Sequence, residues 1–311
     1  MAKNRKIILS CAVTGAIHTP SMSDYLPCGV DGIVKAAVDA GNAGASMLHV
    51  HAREENGKPT ADFATWRRIL SGIKAGTDAV IGITTGGAVG LMTVQERLSV
   101  IAEFKPEIAS CNAGSINFSL TGLTKLIETP KYDWELPFLE ASYGKIFQNT
   151  FEDLEYAIRI MNEHGTKQEF EIFDLGQIGN LAYFVKQGIV PKPMFLQFVL
   201  GVMGGAPQSL DNLNHYISQA KRMLGDDVMY SLVIGGRMMF RYGIYNAISG
   251  GNCRVGMEDS LYINVSGELA KSNAEQVEKI IGMLRSLDFE VATPDEAREM
   301  LQLKGAANVG F

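Results

Sequence analysis

The sequence is poor in the features that mark several protein classes. Its 311 residues hold four cysteines (Cys11, Cys28, Cys111 and Cys253), none in a CxxC pair. Three of them lie in apolar, strand-like runs, so they read as small buried hydrophobes of a reducing compartment, not as a disulfide framework or a cysteine metal site. No stretch of 18 apolar residues occurs, and no membrane span is expected. The apolar run in MAKNRKIILSCAVTG is too short for a signal peptide, which makes the cytoplasm the default location. Basic clusters are missing as well. With a formal charge of −6 the chain is a poor match for a phosphate backbone, so nucleic acid is not an expected partner. A small anionic ligand needs only a local patch and stays open.

What is present is alternation. Apolar, β-branched runs at Lys6–Thr14, Met47–Arg53, Ala79–Thr85, Glu107–Asn112, Phe170–Leu175, Met194–Val202, Met229–Ile234 and Asn252–Met257 are separated by amphipathic stretches. Those stretches include Gly32–Gly44, Ala61–Ala75, Thr93–Phe104, Thr150–His164, Leu210–Leu224 and Arg237–Ile248, with apolar residues at the helical period. Such alternation predicts right-handed βαβ units and a parallel sheet covered on both faces. An open doubly wound sheet would place a GxGxxG turn after its first strand, and TGAIHTPSMSDYLP lacks that spacing. Glycines and polar residues collect instead after many strands, as at the C-terminal face of an α/β barrel of the (β/α)8 TIM type. The predicted architecture is one domain over residues 1–311, with a hairpin-like excursion over Ile116–Gln148 after the fourth strand and two extra C-terminal helices between Asn273 and Leu303. Thr293 before Pro294 reads as the N-cap of the last helix.

His49 and His51 in MLHVHAR carry the sharpest chemical signal. Period-two alternation puts both imidazoles on one face, about 7 Å apart at the backbone, from where they can meet one metal ion. The last strand reads NCRVGMEDSLY, and the first and last strands of a closed barrel are neighbours. Glu258 is thereby placed to complete a His2Glu zinc site with an open position, the pattern of a catalytic zinc. Arg254 and Glu258 share strand parity; Asp259 joins them only if the chain turns at Glu258–Asp259. An amidohydrolase-type barrel would need further histidines after the fifth and sixth strands, where FDLGQIG and FVLGVMGG have none. Thr84, Thr85, Gly86 and Gly87 after the third strand, and Ser110, Asn112 and Gly114 at the end of the fourth, suit a carboxylate or carbonyl. Gly204–Gly205 and Gly235–Gly236 with Arg237 lie where barrels often hold phosphate. His164 and His215, in helical stretches, read as solvated surface.

Taken together, CAVTGA, HVHAR, TTGG, SCNAGS and RVGMED resemble the β-keto acid cleavage enzymes along essentially the whole chain. The resemblance implies a β/α barrel, zinc held by His49, His51 and Glu258, and acetyl-CoA as co-substrate, giving acetoacetate and a new acyl-CoA. It further implies Asp259 as general base with Arg254 as its partner, kept ionised by that arginine, and Thr84, Gly87 and Ser110 as substrate contacts. The zinc would polarise the keto carbonyl. Where the aminohexanoate-cleaving members carry a glutamate after TGA, this chain has Ile17 and then His18. An isoleucine cannot pair with an ammonium, so a neutral, apolar or anionic β-keto acid is expected. Asn112 and His18 are further candidate contacts, His18 standing just before a turn at Thr19–Pro20. The alternative activities are a zinc-dependent aldolase or decarboxylase without CoA, or a non-catalytic sensor. A homo-oligomer is expected, the excursion being a candidate contact or active-site cover.

Overall fold

The computed structural model describes residues 5–87 and 92–311. Eight parallel strands run in the order β10-β1-β2-β3-β4-β7-β8-β9. They are β1 (Leu9–Ala12), β2 (Met47–Val50), β3 (Val80–Ile83), β4 (Ile108–Asn112), β7 (Lys167–Ile172), β8 (Phe195–Leu200), β9 (Met229–Ile234) and β10 (Cys253–Val255). β10 also pairs with β1, so the sheet curls into a nearly closed (β/α)8 barrel. The remaining seam is bridged by Asn252. Its backbone N–H and side-chain amide both donate to the Tyr230 carbonyl (2.8 and 3.2 Å), and its Oδ1 accepts from Ile8 N–H (3.0 Å).

The helices around the barrel are α1 (Gly29–Asn42), α2 (Phe63–Gly76), α3 (Val94–Phe104), α5 (Phe151–Glu163), α6 (Gly176–Lys186), α7 (Leu210–Leu224), α8 (Met239–Ile248) and α9 (Asn273–Arg285). Thr93 and Thr150 form capping boxes with Glu96 and Asp153, which start α3 and α5 at the polar residues before each apolar stripe. The predicted cap at Thr293 is present, with Pro294 in the first turn of α10 (Pro294–Leu301). Helix α6 was not among the amphipathic runs picked out above.

Strand alternation sorts the interior into layers. Outward residues such as Leu48, Ile81 and Phe198 pack on the helices. Inward residues near the strand starts, Ile8, Met47, Val80, Ile108 and Phe195, pack with Ala297 and Leu301 of α10, which plugs that end of the barrel. One level up, the inward positions turn polar. Ser10, Glu169, Gln197, Ser231 and Arg254 are all buried, and the strands hold Ser10 in register with Arg254 and Gln197 with Ser231. Above these, Val199 and Val233 join an apolar group that closes over the mouth.

Much of that cover comes from the excursion after β4. Strands β5 (Ile116–Asn117) and β6 (Ile146–Phe147) pair antiparallel, with the short helix α4 (Glu135–Ala141) between them. Phe118, Leu120, Leu139 and Phe147 pack there against Phe173, Val199 and Val233. The hairpin predicted from sequence is therefore present and sits on the barrel mouth. The fifth barrel strand differs from the sequence reading. It spans Lys167–Ile172, three residues before the predicted Phe170–Leu175, because its inner face carries Glu169 and Glu171 while Phe170 and Ile172 face the helices. No described helix is long and apolar enough to cross a membrane, and all four cysteines are free.

Candidate active site

The site is assembled where the C-terminal ends of β2 and β10 meet across β1. His49 lies in β2 and His51 directly after it. Their Nε2 atoms are 3.2 Å apart. Strand β10 stops at Val255, and Gly256 opens a turn in which the N–H groups of Asp259 and Ser260 donate to the Gly256 carbonyl (3.1 and 3.0 Å). That turn brings both acids to the same place, as the sequence required. Glu258 Oε1 lies 3.6 Å from His49 Nε2, and Oε2 lies 3.5 Å from His51 Nε2.

These spacings bear on what the three groups hold. Ligands bonded at about 2.1 Å in a tetrahedron stand about 3.4 Å apart; the two Nε2 atoms are 3.2 Å apart, near that edge, and each lies 3.5–3.6 Å from a different oxygen of Glu258. All the ligand atoms lie within 4.8 Å of one another, and Glu258 Oε2 is buried with no hydrogen-bond partner among the described residues. The trio thus fits a divalent cation. Crowding explains a glycine nearby: a Cβ at Gly15, whose φ is +62°, would lie 2.3 Å from Glu258 Cγ.

Arg254 anchors the acids. Its Nε and Nη2 donate to the two oxygens of Asp259 (both 2.9 Å), and Nη2 also reaches Glu258 Oε1 (2.8 Å). Burial works against every charge in this cluster. It raises the Asp259 pKa despite the Arg254 pair, so the sequence expectation that Arg254 simply holds Asp259 down is modified. Burial also opposes ionisation of Glu258, but His49, His51 and Arg254 hold its carboxyl well below the usual range. For His49 burial is outweighed by the Glu258 and Glu169 carboxylates and its pKa rises; for His51 burial prevails and its pKa falls.

A cavity opens beside the trio. One end is polar, lined by His51, Thr84, Gly86, Gly87, Arg254, Glu258 and Asp259. The other is apolar, walled by Ile17, Phe118, Phe138, Phe147, Phe173 and Val233. Phe118, Phe147 and Phe173 pack ring to ring at centroid distances of 5.9–6.5 Å.

Of the predicted contacts, Thr84 and Gly87 line the cavity, and the Thr84 hydroxyl accepts from Gly86 N–H at 2.9 Å. Ser110, Asn112 and His18 do not line it. Ser110 ties β4 to β3: its Oγ accepts from Thr85 N–H (3.1 Å), and its carbonyl accepts from the Thr85 hydroxyl (2.7 Å). Asn112 is buried in register with Glu171, its amide without a hydrogen-bond partner among the described residues. His18 Nδ1 is 2.9 Å from the Met257 carbonyl, beside Glu258, and burial lowers its pKa to about 4.

Three contributors escaped the sequence reading. Glu171 lines the cavity, and burial pushes its carboxyl up to about 7. Glu169 faces His49 from the level below, Oε2 to Nδ1 at 3.7 Å. Both were hidden in KQEFEI, whose alternation of acid and apolar residues was the available signal. Arg53, fully buried, donates to the carbonyls of Gly15 (3.0 Å), Gly57 (2.8 Å), Thr14 (2.9 Å) and His18 (2.8 Å). It holds the segment after β1 so that Gly15 abuts Glu258 and Ile17 reaches the cavity.

The family model for the β-keto acid cleavage enzymes matches residues 6–303. The chain belongs to the β-keto acid cleavage enzyme family. Within that family it is 46% identical to a 3,5-dioxohexanoate:acetyl-CoA acetone transferase of Paraburkholderia graminis, over 100% of both chains. It is 35% identical to a 3-keto-5-aminohexanoate cleavage enzyme of Fusobacterium nucleatum, over 96% of this chain and 98% of that one. Among solved structures, ObcA in a ternary complex with a C4-CoA adduct and oxalate superposes with a TM-score of 0.68 at 18% identity, covering 90% of this chain and 68% of that chain. That likeness shows a shared fold.

Proposed function

We propose that this enzyme cleaves a β-keto acid with acetyl-CoA as co-substrate: R–CO–CH2–COO⁻ and CH3–CO–SCoA give R–CO–SCoA and acetoacetate. The observation that carries the reading is the clustering of His49, His51 and Glu258 within metal-ligand reach of one another, directly beside the Asp259–Arg254 pair and the cavity. A nitrogen-rich N2O donor set with an open side suits zinc, which would supply Lewis acidity to the keto carbonyl.

The chain's own groups supply the rest. Asp259, with its pKa raised by burial, is a stronger base than an exposed aspartate and takes a proton from the acidic C2 methylene. Arg254 fixes that carboxylate in place by two hydrogen bonds. Thr84 and Gly87 line the same cavity, as does Glu171, whose pKa of about 7 makes it a group able to carry a proton in either direction.

The apolar wall supports a neutral substituent R of a few carbons. Of the charged side chains lining the cavity, Arg254 is committed to Asp259 and Glu258, and among the described residues no other lysine or arginine lines it. An ammonium or a second carboxylate on R would face phenylalanine rings. The relative at 46% identity is named for 3,5-dioxohexanoate, whose tail is uncharged, which accords with this reading.

The test mixes the zinc-loaded protein with a panel of neutral, cationic and anionic β-keto acids and follows acetoacetate, with and without acetyl-CoA. Acetoacetate release that needs acetyl-CoA and favours neutral tails is expected. Consumption without CoA would point to an aldolase or decarboxylase instead. Asp259→Asn with zinc retained should lose about 10²–10⁴-fold in kcat; undiminished cleavage removes Asp259 from the scheme. A cytoplasmic homo-oligomer belongs to this reading, and Tyr143 and Ile146, exposed on the excursion, are candidate contacts.

A further inference from the structure

The two nitrogens of His49 face different chemistry. Nε2 points to His51 and Glu258, while Nδ1 points to Glu169 and is buried with no other partner among the described residues. Glu169 is the costlier member of the pair. It sits in the middle of β7 facing the barrel axis, with its side chain 4% exposed. In register with it stand Ser110 and Phe195, neither of them a cation. Among the described residues, its only ion-pair partner is His49, and Glu169 Oε1 has no hydrogen-bond partner. Burying a carboxylate in this way is destabilising unless a partner compensates it. The same layer holds the neutral Ser10, Gln197 and Ser231 and the cation Arg254, which attracts Glu169 at longer range while its guanidinium is hydrogen-bonded to Asp259 and Glu258.

We propose that Glu169 is a positioning residue for the metal-binding imidazole of His49, the outer carboxylate of a carboxylate–imidazole–metal triad. A neutral imidazole carries its proton on either nitrogen, and only the bare one can bind a metal. An acceptor beside Nδ1 keeps the proton there and leaves the Nε2 lone pair directed at His51 and Glu258. It also makes the imidazole a stronger donor to the cation. The separation of 3.7 Å is ion-pair distance, longer than a formed hydrogen bond, so a small rotation of either side chain completes the contact. This inference rests on the metal site proposed above and assigns a role to a residue outside it.

The test titrates zinc alone into wild type, Glu169→Gln and Glu169→Ala, measuring the zinc Kd by chelator competition. It adds thermal melts of the metal-free proteins and the nitrogen-15 NMR signals of His49. Zinc affinity is expected to fall about 10–100-fold in Glu169→Ala, with Glu169→Gln in between because its carbonyl still accepts. The His49 proton should lose its preference for Nδ1. The metal-free Tm should stay level or rise, because a poorly compensated buried charge has gone. Wild-type zinc affinity in the variants overturns the proposal, as does an affinity loss matched by a fall in the metal-free Tm with the tautomer unchanged. Should Glu169→Ala fail to fold, Glu169→Gln alone decides by the same criteria. If wild type itself binds no zinc, or binds it equally after His49→Ala, the metal centre fails and this inference with it. Zinc bound normally by wild type and by both variants removes only Glu169.

Discussion

Glu171 shows how one side chain can couple chemistry to stability. Burial moves its pKa from the ordinary 4.5 to about 7. Between those values the folded protein binds more protons than the unfolded chain, so stability is highest below 4.5 and is lost as pH rises through about 7. In the metal-free protein, Glu171→Gln should therefore raise Tm at pH 8 and leave it nearly unchanged near pH 4.5. The opposite pattern, measured by thermal melts across pH, would mean that the carboxyl is ionised in the fold. The same substitution should flatten any limb of the rate profile near pH 7 if Glu171 carries protons during turnover. His49 and His51 were legible in sequence because HxH on a strand fixes their side, and Glu258 because the turn after RVGM leaves it facing them. Glu169 and Glu171 were not. Hydrophobic periodicity identifies the buried face of a strand, and here both faces are buried, the inner one by polar groups.

Among the elements, the excursion after β4 is joined to the segment after β1 by a buried acid as well as by apolar packing. Glu135, at the start of α4, accepts from Ser21 N–H (3.0 Å), the Ser21 hydroxyl (2.7 Å) and Tyr132 N–H (3.0 Å). It thereby ties the excursion to the segment after β1 that carries Ile17. Each hydrogen bond to a charged group contributes about 1.5–3 kcal/mol. Glu135→Ala should lower Tm by several degrees and raise KM for the β-keto acid more than it lowers kcat, since the wall it loosens contacts the tail and not the reacting carbons. A change confined to kcat would argue against that division. The hairpin nature of this segment could be read from sequence, but its docking could not, because Glu135 and Ser21 are far apart in the chain and neither belongs to a periodic pattern. The eight-fold alternation was legible for the opposite reason: each strand announces itself locally. Strand β7 was displaced by three residues because Lys167, Gln168 and Glu169 look like a loop until the barrel axis is known to be polar.

At the scale of the whole molecule, the barrel divides labour along its axis. Stability resides at the plugged end and in the helical shell, while the costs of buried charge gather near the mouth. The sequence showed the barrel by its repetition and the reaction by a few strand-end motifs, and the layering between them emerged only with the register. The plug formed by Ala297 and Leu301 on Ile8, Met47, Val80, Ile108 and Phe195 has a kinetic corollary. With that end sealed there is no rear exit, and whatever enters must leave by the door it came through. Acetoacetate still in the site would bar the next β-keto acid, so initial-rate measurements should find it a competitive inhibitor against that substrate; purely uncompetitive inhibition would mean that acetoacetate does not occupy the β-keto acid site of the free enzyme.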